Sequence, residues 1–147
     1  MTAHMSRGDR KMTVLVVDDE KDIADSAREV LEAMVPNCHV ETADSCANGI
    51  ATMMRQPIDA VLVDYRMPEH SGLDFIREAR GLEPSVPAIL MTAYANMDLA
   101  SQAINAVHVD GFLAKPIDAS TLAHAIESAL QRAAGPVPAA DNAAIQW

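Results

Sequence analysis

"VLVVDDE", residues 14–20, decides the fold. Four aliphatic residues run straight into three acids. A run apolar on both faces reads as a buried strand of a parallel sheet. Acids crowded onto its tip need a compensating ligand there, because neighbouring carboxylates repel one another.

The same grammar repeats outward from this stretch. Strands are expected over 13–17, 38–43, 58–64, 86–91 and 110–114, with Pro87 tolerated at the beginning of the fourth. Helical periodicity fills the gaps. In 22–34, Ile23, Ala27, Val30, Leu31 and Met34 share one face, and in 118–133 Leu122, Ala125, Ile126, Ala129 and Leu130 do the same. Helices are also expected over 45–56 and 96–107, and over 71–80, where Ser71 and Asp74 form a capping-box pattern. Five βα units imply a parallel sheet covered by helices on both faces.

The chain has 147 residues, half of them apolar, enough for one packed domain. The domain is expected over 12–133. Residues 1–11 read as a disordered segment or cloning remnant with no signal-peptide core, and 134–147 as a Pro/Ala-rich tail or linker. The formal net charge of −10 disfavours non-specific binding to nucleic acid or an anionic membrane surface. Cys38 and Cys46 are too few for a disulfide framework, which points to a reducing, cytoplasmic compartment. No apolar run approaches the roughly 18 residues of a membrane span. The five histidines show no metal-ligand spacing, and the nine methionines read as core filler. Glu20 reads as a first-turn helix acid.

In an open α/β sheet, ligands bind beyond the carboxyl ends of the strands, where strand order reverses. With strand order 2-1-3-4-5, Asp18 and Asp19 at the end of strand one meet Asp64 at the end of strand three. Such oxygen donors suit a hard divalent cation, Mg²⁺ or Mn²⁺. "MTAYAN" (91–96) adds the hydroxyl of Thr92, and "FLAKP" (112–116) adds the ammonium of Lys115. Pro116 fixes the turn after it and allows a cis bond. A cation, a hydroxyl and a metal converging on one carboxylate fit a phosphoryl group.

These motifs, in order and each at its own strand end, resemble the receiver domain of two-component response regulators. "VDYRMPEHSGLDFI" (63–76) is similar to that family's stretch around its phosphorylated aspartate. The resemblance covers about residues 12–132. It implies a flavodoxin-like (βα)5 doubly wound sheet, as in chemotaxis regulators. It implies Asp64 as phosphoacceptor, with Asp19, Asp64 and the backbone carbonyl of Arg66 as direct metal ligands and Asp18 acting largely through water. Thr92 and Lys115 would hold the phosphoryl oxygens, and Phe112 would be the switch aromatic. Arg66 and Tyr94 would flank the phosphate and set its lifetime.

The implied partners are a histidine kinase or phosphotransfer protein and an output domain or target. The implied responsive face is that of the fourth helix, fifth strand and fifth helix, about residues 96–132, through which family members also dimerise. Nothing in the sequence suggests direct nucleic-acid binding or a membrane partner. Two other readings stand beside this one. The first is a Mg²⁺-dependent phosphohydrolase with an aspartate nucleophile, against which Glu20 stands where such enzymes carry a second Asp. The second is a receiver-like module that never takes phosphate, against which no key acid or lysine is missing.

Overall fold

The computed structural model describes residues 11–93, 98 and 107–134. Five parallel strands form one sheet: β1 (Met12–Val17), β2 (Cys38–Ala43), β3 (Ala60–Asp64), β4 (Ala88–Ala93) and β5 (Gly111–Lys115). Their order is β2-β1-β3-β4-β5, so β1 and β3 are neighbours and β2 and β5 are edges. The helices are α1 (Lys21–Met34), α2 (Cys46–Arg55), α3 (Gly72–Leu82) and α4 (Ala119–Ala134). The helix expected over 96–107 lies outside the described residues, except for Asp98, which is helical, and Val107.

Alternation along the strands sorts the core into two layers. Val14, Val16, Leu62, Ile89 and Met91 face one side, where Ala24, Ala27 and Leu31 of α1 and Leu122, Ile126 and Ala129 of α4 cover them. Leu15, Val17, Val61, Val63 and Leu90 face the other, under Leu73, Phe75, Ile76 and Ala79 of α3 and Cys46 of α2. Every residue of β3 is buried, as a central strand covered on both faces requires. Burying Phe75 completely contributes about 1.5–3 kcal/mol on transfer grounds.

Two aspartates set the register at the far end of the sheet from the acids. Asp59 donates its N–H to the Thr13 carbonyl at 2.8 Å and accepts the Thr13 N–H on Oδ2 at 2.8 Å. Asp110 repeats this with Ala88, again at 2.8 Å both ways. Each carboxylate thus adds one rung to a parallel ladder just before its strand begins. Arg80 of α3 braces the second rung, donating to Asp110 Oδ2 at 2.8 Å and to the Val86 carbonyl at 3.2 Å.

Several expectations shift here. β4 begins at Ala88, because Pro87 offers its carbonyl to the Val61 N–H at 2.9 Å but has no N–H to return. Ser71 lies outside α3 as its N-cap, with both capping-box bonds to Asp74 made. Glu20 is the N-cap of α1 and makes no side-chain cap bond; the first-turn acid is Asp22. The methionines are not all core: Met12 and Met91 are buried, but Met54 is 71% and Met34 47% exposed, because α1 and α2 turn those positions to solvent. Both cysteines are free and buried, and burial pushes each thiol up to about 11, which makes them unreactive at neutral pH. No helix among the described residues is long and apolar enough to cross a membrane.

Candidate functional site

Each element delivers its polar residue at a strand's carboxyl end. β1 runs out at Val17, and Asp18 and Asp19 follow. β3 ends on Asp64, β4 carries Thr92 one residue from its end, and β5 ends on Lys115. Because β1 and β3 pair in parallel, their tips come level. Asp18, Asp19 and Asp64 each offer a carboxylate oxygen within 4.8 Å of the others. Asp18 and Asp64 are buried, at 1% and 6% exposure, whereas Asp19 is exposed.

Lys115 bridges the two buried acids. Its Nζ lies 2.8 Å from Asp64 Oδ1 and 3.2 Å from Asp18 Oδ2, with Glu20 at 3.9 Å. Asp18 Oδ1 accepts the Glu20 N–H at 2.9 Å, so both oxygens of Asp18 have protein partners. The electrostatics follow from this crowding. Burial pushes the Asp64 carboxyl above its ordinary value, and the charges of Asp18 and Asp19 add to that; the Lys115 hydrogen bond opposes it without winning. Burial also opposes a charge on Lys115, but Asp64 and Asp18 outweigh it, and its pKa rises.

Asp19, Glu20, Asp64, Arg66, Thr92, Ala93 and Lys115 line a cleft of about 280 Å³. Thr92 is 1% exposed and donates its hydroxyl to the Ala93 carbonyl at 3.3 Å. Phe112 is only partly buried and packs against the core layer under α2 and α3. Tyr94 lies outside the described residues, as does most of the first part of the 96–132 face. The Lys115–Pro116 peptide bond is cis.

The donor set fits a hard divalent cation. All three ligand candidates are carboxylates, two sit in a site that strongly disfavours like charge, and the cleft leaves room for water beside them. A soft or nitrogen-loving metal finds no cysteine or histidine in this cluster.

One residue of the site escaped the sequence reading. Gly72 opens α3 directly under the Asp64 backbone. A Cβ added there would stand 2.4 Å from the Asp64 carbonyl oxygen and 3.0 Å from Leu90 Cδ1. The Gly72 N–H is donated to the Tyr65 carbonyl at 2.8 Å, which clamps the loop after Asp64 onto the helix. The signal was a glycine at the first helical position, where it has no propensity to recommend it.

A parallel 2-1-3-4-5 sheet with acids, a hydroxyl and an ammonium gathered at its switch point defines a doubly wound α/β domain whose polar groups converge at the carboxyl ends of its strands. Residues 14–127 match the response regulator receiver domain family, and the chain belongs to that family. Receiver domains are signalling switches rather than enzymes with a turned-over substrate. The chain is 35% identical over 123 residues to the response regulator protein PilR of Pseudomonas aeruginosa, covering 82% of this chain and 26% of the relative. It is 33% identical to the transcriptional regulatory protein ZraR of Escherichia coli, covering 80% of this chain and 26% of that one. It thus spans about a quarter of the length of these curated relatives. Among solved structures, a response regulator receiver domain protein from Clostridium thermocellum superposes with a TM-score of 0.74 at 32% identity, covering 82% of this chain and 95% of that one. A CheY-like receiver domain protein from Methanospirillum hungatei gives 0.74 at 27%, covering 84% and 96%.

Proposed function

We propose that this domain is a phosphorylation-dependent switch that accepts a phosphoryl group on Asp64 from the phosphohistidine of a histidine kinase or phosphotransfer protein. The observation that carries the reading is a buried Asp64 whose carboxylate meets Lys115 at 2.8 Å and two further acids within 4.8 Å. Asp64 attacks the phosphorus, the phosphorus–nitrogen bond breaks, and the imidazole keeps the electron pair and takes a proton. The product is an acyl phosphate on Asp64. Lys115 holds one phosphoryl oxygen and neutralises developing charge, and the Thr92 hydroxyl turns from the Ala93 carbonyl to another. Asp19, Asp64 and the Arg66 carbonyl would hold Mg²⁺ or Mn²⁺, with Asp18 acting through water. When bound, the ion supplies charge neutralisation and orientation of the phosphoryl oxygens.

Withdrawal of Thr92 frees space beside β5, and Phe112 turns into it, changing the surface over 96–132 that an output partner or a second copy reads. Arg66, which lines the cleft, and Tyr94, two residues after Thr92 in sequence, set how long the phosphoryl group lasts. The receiver unit is taken as 12–133, with 134–147 as the tail or linker and 1–11 outside it. A cytoplasmic location suits a kinase-fed aspartate. Its similarity to a response regulator protein and a transcriptional regulatory protein supports an output in regulation, exerted by another segment or protein. A formal charge of −10 argues against direct nucleic-acid contact by this domain.

Intact mass after incubation with acetyl phosphate and Mg²⁺ tests the reading. One phosphoryl increment is expected on the wild type, lost with chelator and absent from Asp64→Asn. An adduct that persists in Asp64→Asn refutes Asp64 as acceptor. No adduct from either acetyl phosphate or a phosphorylated kinase refutes the switch.

A further inference from the structure

β2 is an edge strand, and at its middle residue, Val40, the outward backbone is not left open. The carbonyls of Asn37 and Ala43 face β1, where they accept the N–H groups of Met12 at 2.7 Å and Asp18 at 3.0 Å. Strand alternation therefore turns the N–H and carbonyl of Val40 to the free edge. The Val40 side chain is fully buried, so its backbone cannot swing away to find water without disturbing the core. Both outward groups are satisfied from α1. The Val40 N–H is donated to Glu32 Oε2 at 2.9 Å. The Val40 carbonyl accepts from Arg28 through Nη2 at 2.9 Å and Nε at 3.3 Å.

Arg28 and Glu32 stand one helical turn apart, so their side chains reach the edge side by side. A guanidinium giving to the carbonyl and a carboxylate taking from the N–H reproduce what a neighbouring strand would offer. His39 lies beside the carboxylate, with its Nδ1 3.5 Å from Glu32 and its Nε2 2.7 Å from Glu41.

We propose that Arg28 and Glu32 form an edge guard that keeps β2 from pairing with β2 of a second copy of this chain. The second copy is the occupant because the pairing is self-complementary. Two antiparallel β2 strands centred on Val40 would exchange both N–H to carbonyl bonds across a twofold axis. The segment CHVETA carries a single acid and β-branched residues at Val40 and Thr42, so little in it resists such pairing. The guard lies on the β2 side of α1, away from the acid cleft, and its removal leaves phosphoacceptance intact.

Two measurements on the full chain test it. In Glu32→Ala, amide exchange at Val40 is expected to accelerate at least tenfold, while Glu41, whose N–H faces β1, changes little. In Arg28→Ala/Glu32→Ala, sedimentation in chelator and without phosphodonor is expected to show concentration-dependent dimers beyond any the wild type forms. Arg28→Lys/Glu32→Gln, which keeps a donor and an acceptor, is expected to sediment as wild type. A double-alanine variant that folds by circular dichroism and sediments as wild type overturns the proposal. So does an unchanged Val40 exchange rate, and that single-site reading decides the matter if the double variant does not fold.

Discussion

Gly72 and Gly81 are both replaced by alanine in the same helix, with the same chemical change, and the structure predicts opposite outcomes. At Gly81 a Cβ meets nothing within 4 Å, and no glycine among the described residues has a positive φ. Gly81→Ala therefore gains helix propensity and loses unfolded-state freedom, a stabilisation of about 0.5–1 kcal/mol. At Gly72 the new Cβ would stand 2.4 Å from a backbone carbonyl oxygen. Relief needs a displacement on the order of 1 Å, because ordinary contact starts near 3.4 Å. The obstacle is the backbone of a fully buried strand, which cannot rotate aside as a side chain would. Overpacking of this kind costs about 1–3 kcal/mol, and a propensity gain below 1 kcal/mol does not offset it. The net expectation is a loss of roughly 1–2 kcal/mol, read as a lower urea midpoint with unchanged slope. Since the displaced atoms belong to Asp64, labelling by acetyl phosphate should also slow in Gly72→Ala and not in Gly81→Ala. Equal midpoint shifts of the same sign in the two variants would refute the close-approach reasoning.

Two further predictions concern strain and charge. Glu69 holds a φ of 75° inside a turn in which the His70 N–H reaches the Pro68 carbonyl at 2.8 Å, the rarer and strained form of γ-turn. Glu69→Gly should stabilise the protein by about 0.5–1 kcal/mol, the strain of a positive φ less the added unfolded-state entropy; a lower urea midpoint would contradict this. Asp64→Asn should stabilise the metal-free protein at neutral pH by roughly 1 kcal/mol, the scale of one repulsion between charges about 4 Å apart in water. The sign follows from the raised folded pKa of Asp64. Its contribution to wild-type stability is fully present below the unfolded value of 3.8 and is lost as pH rises through the folded value. The advantage of Asp64→Asn should therefore be open at pH 7 and close as pH falls towards 3.8; melts in chelator at the two pH values check it, and a variant less stable than wild type at pH 7 would sink it.

The sheet and the three-acid site were legible because their causes are local. Val14–Val17 and Ala60–Val63 are apolar on both faces, which only a covered parallel strand tolerates, and each run stops on an acid. Periodicity placed α1 and α4, and Ser71 with Asp74 marked the start of α3. Where the reading slipped, the cause was non-local. Pro87 fell outside β4 because of what it could not donate to β3, and Met34 and Met54 stand exposed because the docking of α1 and α2 turns those positions to solvent.

By itself, then, the sequence determined the alternation of βα units and which residue types stand at each strand end, since hydrophobic period and turn chemistry act over a few residues. Only the tertiary structure decided that Lys115 ties Asp18 to Asp64, that Gly72 must lack a side chain, and that Arg28 and Glu32 cap Val40 on the β2 edge. Those contacts join residues whose proximity comes from strand order and helix docking, and no local propensity encodes a distance between two chain segments that meet only after folding.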